Sequence, residues 1–148
     1  MCGDHKKFKN ASVFSLLFEG IPVYYYGGEQ FFNGGVDPNN REVLWGHYDT
    51  SSEMYVALAA ANKVRKEKQV WTQAVVQRYA DDVFYAFTRG DVLVALTRGE
   101  GCQRTLDYHR FKEGETLCDA LNTGDCITVQ GGKLNINMGQ DPKVYVKK

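Results

Sequence analysis

The chain has 148 residues, of which 18 are basic and 18 are acidic, so its formal net charge is zero. This balance excludes the strongly basic surface that is typical of proteins binding nucleic acid or acidic membranes. No apolar run is long enough for a transmembrane helix, and the first residues contain no apolar segment that would predict a signal peptide.

The first predicted element is a helix over residues 5–19. Asp4 precedes it as a capping residue, and Gly20 and Pro22 stop it. Apolar side chains recur within it at spacings of three and four, which predicts an apolar face. That face consists of Phe8, Ala11, Ser15 and Phe18, widened by Phe14 and Leu17. Asn10 begins an Asn-Ala-Ser glycosylation sequence, which a position inside a helix makes an incidental match.

Residues 21–26 form a short apolar and aromatic run. The run does not alternate polar and apolar residues, so it predicts a strand covered on both faces, as in a parallel sheet. A glycine-rich loop follows, with Pro38 restricting its backbone and with acidic, amide, aromatic and basic side chains along it. A buried strand that opens into such a loop is the arrangement by which parallel α/β enzymes present their sites.

Asp37 and Arg41 in this loop are candidates for binding a sugar. A carboxylate accepts hydrogen bonds from adjacent sugar hydroxyls, and a guanidinium donates a planar fork of them. The alternative is an internal ion pair that only shapes the loop. Glu29 follows the predicted strand, where catalytic carboxylates project in barrels, but glycoside hydrolysis usually needs two carboxylates and Glu29 also suits a structural hydrogen bond.

A second helix is predicted after residues 50–53, Thr-Ser-Ser-Glu, which fit a capping box. An apolar stripe follows at helical spacing. It consists of Met54, Leu58, Ala61 and Val64. Lysines and arginines crowd the last turns, where cations suit the helix dipole.

From residue 70 the periodicity changes from helix to strand. Short strands separated by turn residues predict an antiparallel sandwich. The runs are AVVQRY, DVFYAFT, VLVALT, QRTLDYH, CITVQ, KLNINM and KVYVK. Cys118 and Cys126 flank a predicted turn, and their spacing suits a disulfide; the alternative is two free thiols.

The loop and the second helix resemble the α-amylases of glycoside hydrolase family 13. The match covers roughly the first 70 residues, and the remainder resembles the family's C-terminal sandwich mostly in pattern. The matching residues are Gly20-Ile21-Pro22, Glu29-Gln30, Gly34-Gly35, Asp37-Pro38, Asn40-Arg41-Glu42 and Trp45, then Ser52-Glu53-Met54-Tyr55 and Ala61-Asn62-Lys63-Val64-Arg65.

The resemblance implies an α/β then all-β fold. Residues 1–69 would be the end of a (β/α)8 TIM barrel, with residues 21–26 as its last strand, and residues 70–148 an antiparallel β-sandwich. It implies a parent enzyme that is extracellular and calcium-dependent and that hydrolyses internal α-1,4 bonds of starch and glycogen with retention. In that family the Asp and Arg of this loop bind sugar, and the resemblance implies the same role for Asp37 and Arg41.

The family's catalytic carboxylates and calcium ligands lie on segments upstream of the matched stretch. We therefore assign no catalytic residue and no metal ligand to this chain, and we expect it to be inactive on its own. The expected partners are starch, glycogen and maltooligosaccharides. The alternative function is that of a non-catalytic carbohydrate-binding or interaction module, with the sandwich as its functional part.

Overall fold

The computed structural model describes residues 4–32, 35–37 and 41–148. Within these residues it contains two α-helices and eight β-strands. The helices are α1 (His5–Leu17) and α2 (Glu53–Glu67). The strands are β1 (Val75–Ala80), β2 (Phe84–Arg89), β3 (Val92–Thr97), β4 (Cys102–Leu106), β5 (Thr116–Asp119), β6 (Cys126–Thr128), β7 (Leu134–Met138) and β8 (Lys143–Lys147).

The first helix begins as predicted, because the side chain of Asp4 accepts a hydrogen bond from the backbone N–H of Lys7, 3.1 Å away. The predicted apolar face is confirmed in part, since Leu17 is buried and Phe14 and Phe18 pack against the core. The residues that the helix buries are Lys9, Asn10, Ser12, Val13, Leu16 and Leu17. Phe8, Ala11 and Ser15 are exposed. The helix carries two apolar stripes, and the sheet and α2 cover the stripe that includes Val13.

The predicted buried strand at residues 21–26 is wrong. The segment has no regular secondary structure, and Ile21 and Val23 are 92% and 86% exposed. The physical reason is that no strand in the described part of the chain pairs with it, and a strand needs partners for its backbone groups. Only Tyr24 turns inward, with its hydroxyl 3.2 Å from Oγ of Ser12 on α1.

The second helix begins two residues later than the capping box predicts. Ser52, not Thr50, is the capping residue, since its Oγ accepts a hydrogen bond from the backbone N–H of Tyr55 at 3.2 Å. The predicted apolar stripe is confirmed, because all four of its residues are buried.

The strands form two antiparallel sheets, which confirms the predicted sandwich. The larger sheet has the order β1-β2-β3-β8-β5-β6, and β4 pairs with β7 in a smaller sheet. Seven strands coincide with the predicted runs, and β5 is additional. Cys118 of β5 and Cys126 of β6 face each other in register and are joined by a disulfide bond, with their Cα atoms 4.0 Å apart.

The larger sheet is covered on both faces. On one face Phe87, Val94 and Val144 pack against α1 and α2. On the other face Phe84, Leu93 and Tyr145 pack against the smaller sheet. The larger sheet therefore packs against the helices on one face and against the smaller sheet on the other. This is why nearly every residue of β2 and β3 is buried.

Candidate functional site

The structure brings the two predicted sugar-binding residues together. Nε of Arg41 lies 3.8 Å from Oδ1 of Asp37, and the two side chains are 69% and 68% exposed. An ion pair this long and this exposed contributes little to stability, so both groups keep most of their hydrogen-bonding capacity for a ligand. Pro38, which was predicted to restrict the loop, and Gly34 lie outside the described residues.

Glu29 lies at the start of the loop, in a single 3-10 turn formed by Gly28–Gln30. Gly27 enters this turn at a φ of +77°, and a Cβ atom there would come within 2.2 Å of the ring of Phe32, so only glycine fits. The main-chain oxygen of Glu29 accepts a hydrogen bond from Oγ of Ser52 at 3.1 Å. The side chain of Glu29 lines a groove of about 460 Å³ together with Tyr24 and Tyr55. The backbone of this residue thus has a structural role, joining the turn to the start of α2.

Two further side chains fasten the loop, and sequence reasoning missed both. The hydroxyl of Tyr26 donates a hydrogen bond to the main-chain oxygen of Glu42 at 2.6 Å and accepts one from the backbone N–H of Leu44 at 3.1 Å. The amide of Gln30 makes two hydrogen bonds of 3.2 Å with the backbone of Asp49. Their partners are 16 to 19 residues away, and no local pattern announces such pairings.

The far half of the loop presents two aromatic rings to solvent. Trp45 is 77% exposed and Tyr48 is 63% exposed. Their ring centres are 6.5 Å apart and their planes meet at 74°. Between them, Gly46 has a φ of +83° and the backbone N–H of His47 donates to the oxygen of Leu44 at 3.0 Å, so a closed turn sets their positions.

An ion-pair network anchors the two helices that flank the loop. Oε1 of Glu53 on α2 accepts hydrogen bonds of 2.9 Å from both Lys6 and Lys9 on α1. The same lysines contact Asp141, between β7 and β8, at 3.0 and 3.1 Å. The two lysine ammonium groups lower the pKa of Glu53 to about 2. The loop is therefore carried by helices that are themselves tied to the sandwich.

Comparison with known proteins relates this geometry to one group of enzymes. The α-amylase of Saccharomycopsis fibuligera is 34% identical over 99% of the chain, and α-amylase 2 of Schwanniomyces occidentalis is 31% identical over 96% of it. The solved structure of an α-amylase from Malbranchea cinnamomea superposes on 95% of the chain with a TM-score of 0.86 and 31% identity. The chain matches α-amylases over its whole length, as a C-terminal fragment of a family 13 enzyme would. No protein-family model matches the chain.

The match to α-amylases confirms the resemblance seen in the sequence and extends it through the sandwich. The chain spans about one third of the length of these relatives: 31% of each of the two yeast enzymes and 32% of the Malbranchea structure. An α-amylase from Geobacillus thermoleovorans, solved in complex with acarbose, shares the fold with a TM-score of 0.81 at 21% identity. The antiparallel sheets match the C-terminal β-sandwich domain of α-amylases, and the two helices precede these sheets in the chain.

α-Amylases usually bind calcium, and the described residues of this α-amylase-like chain do not fit such a site. Among residues 4–32, 35–37 and 41–148, no three His, Cys, Asp or Glu side chains come together in a group that could hold a metal ion. None of the helices that the structure describes is both long enough and apolar enough to cross a membrane.

Proposed function

We propose that this chain is the α-glucan-binding, carboxyl-terminal part of an α-amylase-type glycoside hydrolase, and that by itself it binds α-glucan without hydrolysing it. The observation that carries the proposal is the exposed pair of Asp37 and Arg41 in a chain that matches α-amylases throughout. The parent enzyme would hydrolyse internal α-1,4 bonds of starch and glycogen, and its extracellular location and calcium requirement follow from the same likeness.

The geometry of the pair supports the binding of one glucose unit. A carboxylate offers acceptors on two oxygens and a guanidinium offers five donors, so together they satisfy adjacent sugar hydroxyls, each of which donates and accepts. The 3.8 Å separation of Asp37 and Arg41 leaves room for hydroxyl groups to bond to both without first breaking a tight ion pair.

The exposed apolar segment supports the assignment of residues 1–69 to the end of a barrel. Ile21 and Val23 are almost fully exposed, which is costly for large apolar side chains unless another part of the protein covers them. A neighbouring barrel strand would cover them and supply backbone partners. The catalytic carboxylates and the calcium ligands would then come from that other part, while residues 70–148 form the sandwich.

A pair of assays tests the proposal. Reducing-end release from soluble starch by the purified chain should not exceed the buffer blank, with an intact α-amylase as the positive control. Calorimetric titration with maltoheptaose should show binding, and Asp37→Asn or Arg41→Lys should weaken it at least tenfold, because each removes hydrogen bonds to a charged group. Asp82→Asn, at an exposed carboxylate between β1 and β2, is the matched control.

Turnover near that of an intact α-amylase would contradict the proposal, and so would binding that both loop substitutions leave unchanged. Sequencing the gene upstream of the Met1 codon tests the assignment to a longer enzyme. We expect further barrel strands that end in a catalytic Asp and Glu; a stop codon and a promoter there would favour a separate module.

A further inference from the structure

The exposed rings of Trp45 and Tyr48 differ from the exposed apolar residues at the start of the loop. Ile21 and Val23 lie in an irregular segment that lacks a pairing strand. Trp45 lies instead within a turn that the backbone hydrogen bond from His47 to Leu44 closes, and Tyr48 directly follows this turn. Their exposure therefore belongs to a turn of defined conformation, unlike that of the unpaired segment.

The turn is held on both sides. The hydroxyl of Tyr26 bridges Glu42 and Leu44 just before the rings, and the amide of Gln30 holds the backbone of Asp49 just after them. A ligand that meets these rings thus pays little conformational entropy to order them, because the backbone beneath them is already fixed.

We propose that Trp45 and Tyr48 form an aromatic platform for one glucose unit of an α-glucan chain, next to the unit that Asp37 and Arg41 bind. The indole of Trp45 stacks against the face of that glucose, and the ring of Tyr48, whose plane meets that of Trp45 at 74°, flanks the same glucose. The proposal rests on the proposed function and adds a second contact to the same site. A flat aromatic ring packs against the C–H face of a sugar ring. The sugar hydroxyls project from the rim of the sugar and stay free for hydrogen bonds.

The surroundings of the aromatic platform favour a sugar over a protein partner. Arg41, Glu42, His47 and Asp49, which lie close to the two rings in the sequence, are all exposed. The centre of a protein–protein contact is depleted of charged residues, whereas a sugar site combines flat rings with hydrogen-bonding groups. A polar, ring-bearing turn four residues beyond Arg41 matches the second description.

Tryptophan fluorescence tests the proposal on the full chain, which contains two tryptophans, Trp45 and Trp71. Trp71 lies at the opposite end of α2, roughly 22 Å along the helix by its rise per residue. The substitution Trp71→Phe leaves Trp45 as the sole emitter. Saturating maltoheptaose should then shift the emission to shorter wavelength, and cellohexaose, which has β-1,4 links, should not.

Calorimetry with maltoheptaose measures the contribution of each ring. Trp45→Ala should weaken binding about tenfold, the effect of uncovering one aromatic face, and Tyr48→Ala should weaken it several-fold. Trp71→Ala is the matched control, since Trp71 is 52% exposed and lies outside the loop. Far-UV circular dichroism should be the same for all variants.

The outcomes separate the aromatic platform from the proposed function. If Asp37→Asn weakens binding while Trp45→Ala does not, the platform is wrong and the sugar-binding pair stands. If only the ring substitutions weaken binding, the platform stands and the role of Asp37 is wrong. An emission from Trp45 that maltoheptaose does not change overturns the platform. So does self-association of the chain, seen by sedimentation, that Trp45→Ala abolishes.

Discussion

The side-chain oxygen of Asn10 on α1 accepts a hydrogen bond of 2.9 Å from the backbone N–H of Thr97 at the end of β3. The amide nitrogen of Asn10 donates to the main-chain oxygens of Lys6 and Gln140, each at 2.9 Å. One buried side chain therefore joins the helix, the central strand and the β7–β8 connection. Its burial also means that the Asn-Ala-Ser sequence is no accessible glycosylation site.

Replacing Asn10 should destabilise the whole fold. Asn10→Ala leaves the buried N–H of Thr97 without its partner, which costs about 1–3 kcal/mol, and it also removes the half-buried hydrogen bond to the carbonyl of Gln140. We expect the free energy of unfolding in urea to fall by about 2–4 kcal/mol. Ser15→Ala, on the exposed side of the same helix, is the control and should change it by less than about 0.5 kcal/mol. If the two substitutions have equal effects, the hydrogen bonds of Asn10 do not stabilise the packing of α1 on the sheet.

Because of Asp119, the free energy of unfolding should decrease as the pH rises from 4 to 6. Burial raises the pKa of this carboxyl to about 6, although its Oδ1 accepts hydrogen bonds from the backbone N–H groups of Leu121 and Val144. The folded state then holds a proton that the unfolded state has lost. The contribution of Asp119 is thus fully present below about pH 4 and is lost as the pH rises through about 6.

The variant Asp119→Asn isolates this effect, since its side-chain oxygen can still accept both backbone hydrogen bonds. Relative to the natural chain it should gain stability as the pH rises from 4 to 6, by about 2–3 kcal/mol at the upper end. Urea unfolding at half-unit pH steps measures the difference. A difference that stays constant across this range would mean that Asp119 does not titrate in it. The pKa of Glu53 is lowered, so its own contribution is lost only as the pH falls from about 4.5 towards 2.

Loss of the bond between Cys118 and Cys126 should lower the free energy of unfolding by about 2–3 kcal/mol, the loop-closure entropy for a separation of eight residues. Cys118→Ser combined with Cys126→Ser tests this in urea under non-reducing conditions. Cys102→Ser is the control for a thiol that forms no bond in the described structure. If the double variant unfolds at the same urea concentration as the natural chain, the disulfide contributes no stability.

Limited proteolysis should cut between the two helices. Both α1 and α2 share a core with the sheet, and Arg89 of β2 donates hydrogen bonds to the main-chain oxygens of Leu17 and Phe18. We expect a nick within residues 18–52 that leaves both helices bound to the sandwich after gel filtration. Release of α1 from the sandwich after the nick would contradict this.

The sequence predicted an element correctly where its apolar pattern was compatible with a single buried face. The stripe of α2 that includes Met54 and Leu58 was found because its four residues recur at helical spacing and the other face turns polar towards the end of the helix. The spacing could not choose between the two apolar stripes of α1, since the choice depends on what the sheet covers. Residues 21–26 carry a strand pattern, but a strand forms only where a partner exists. The four residues of β5, Thr-Leu-Cys-Asp, are too few and too polar to show a strand period.

The site followed the same division. Asp37 and Arg41 could be predicted to lie together because both belong to one short motif, and their role in binding sugar stays a prediction. The roles of Tyr26 and Gln30 were missed because each depends on a backbone group 16 to 19 residues away, which only the folded chain defines. Trp45 was noted only as part of the resemblance, and its exposed position became evident in the structure.

The packing of the larger sheet on both faces has a consequence for protein engineering. A sandwich cut free at residue 70 would expose Phe87, Val94 and Val144, because α1 and α2 now cover them. Polar residues at these alternate positions would make the excised domain monodisperse, whereas the intervening Phe84, Leu93 and Tyr145 must stay apolar to hold the second sheet. Along β2, β3 and β8, residues that face the helices thus alternate with residues that face the smaller sheet. The first set can become polar in an excised domain, whereas the second set is needed for folding.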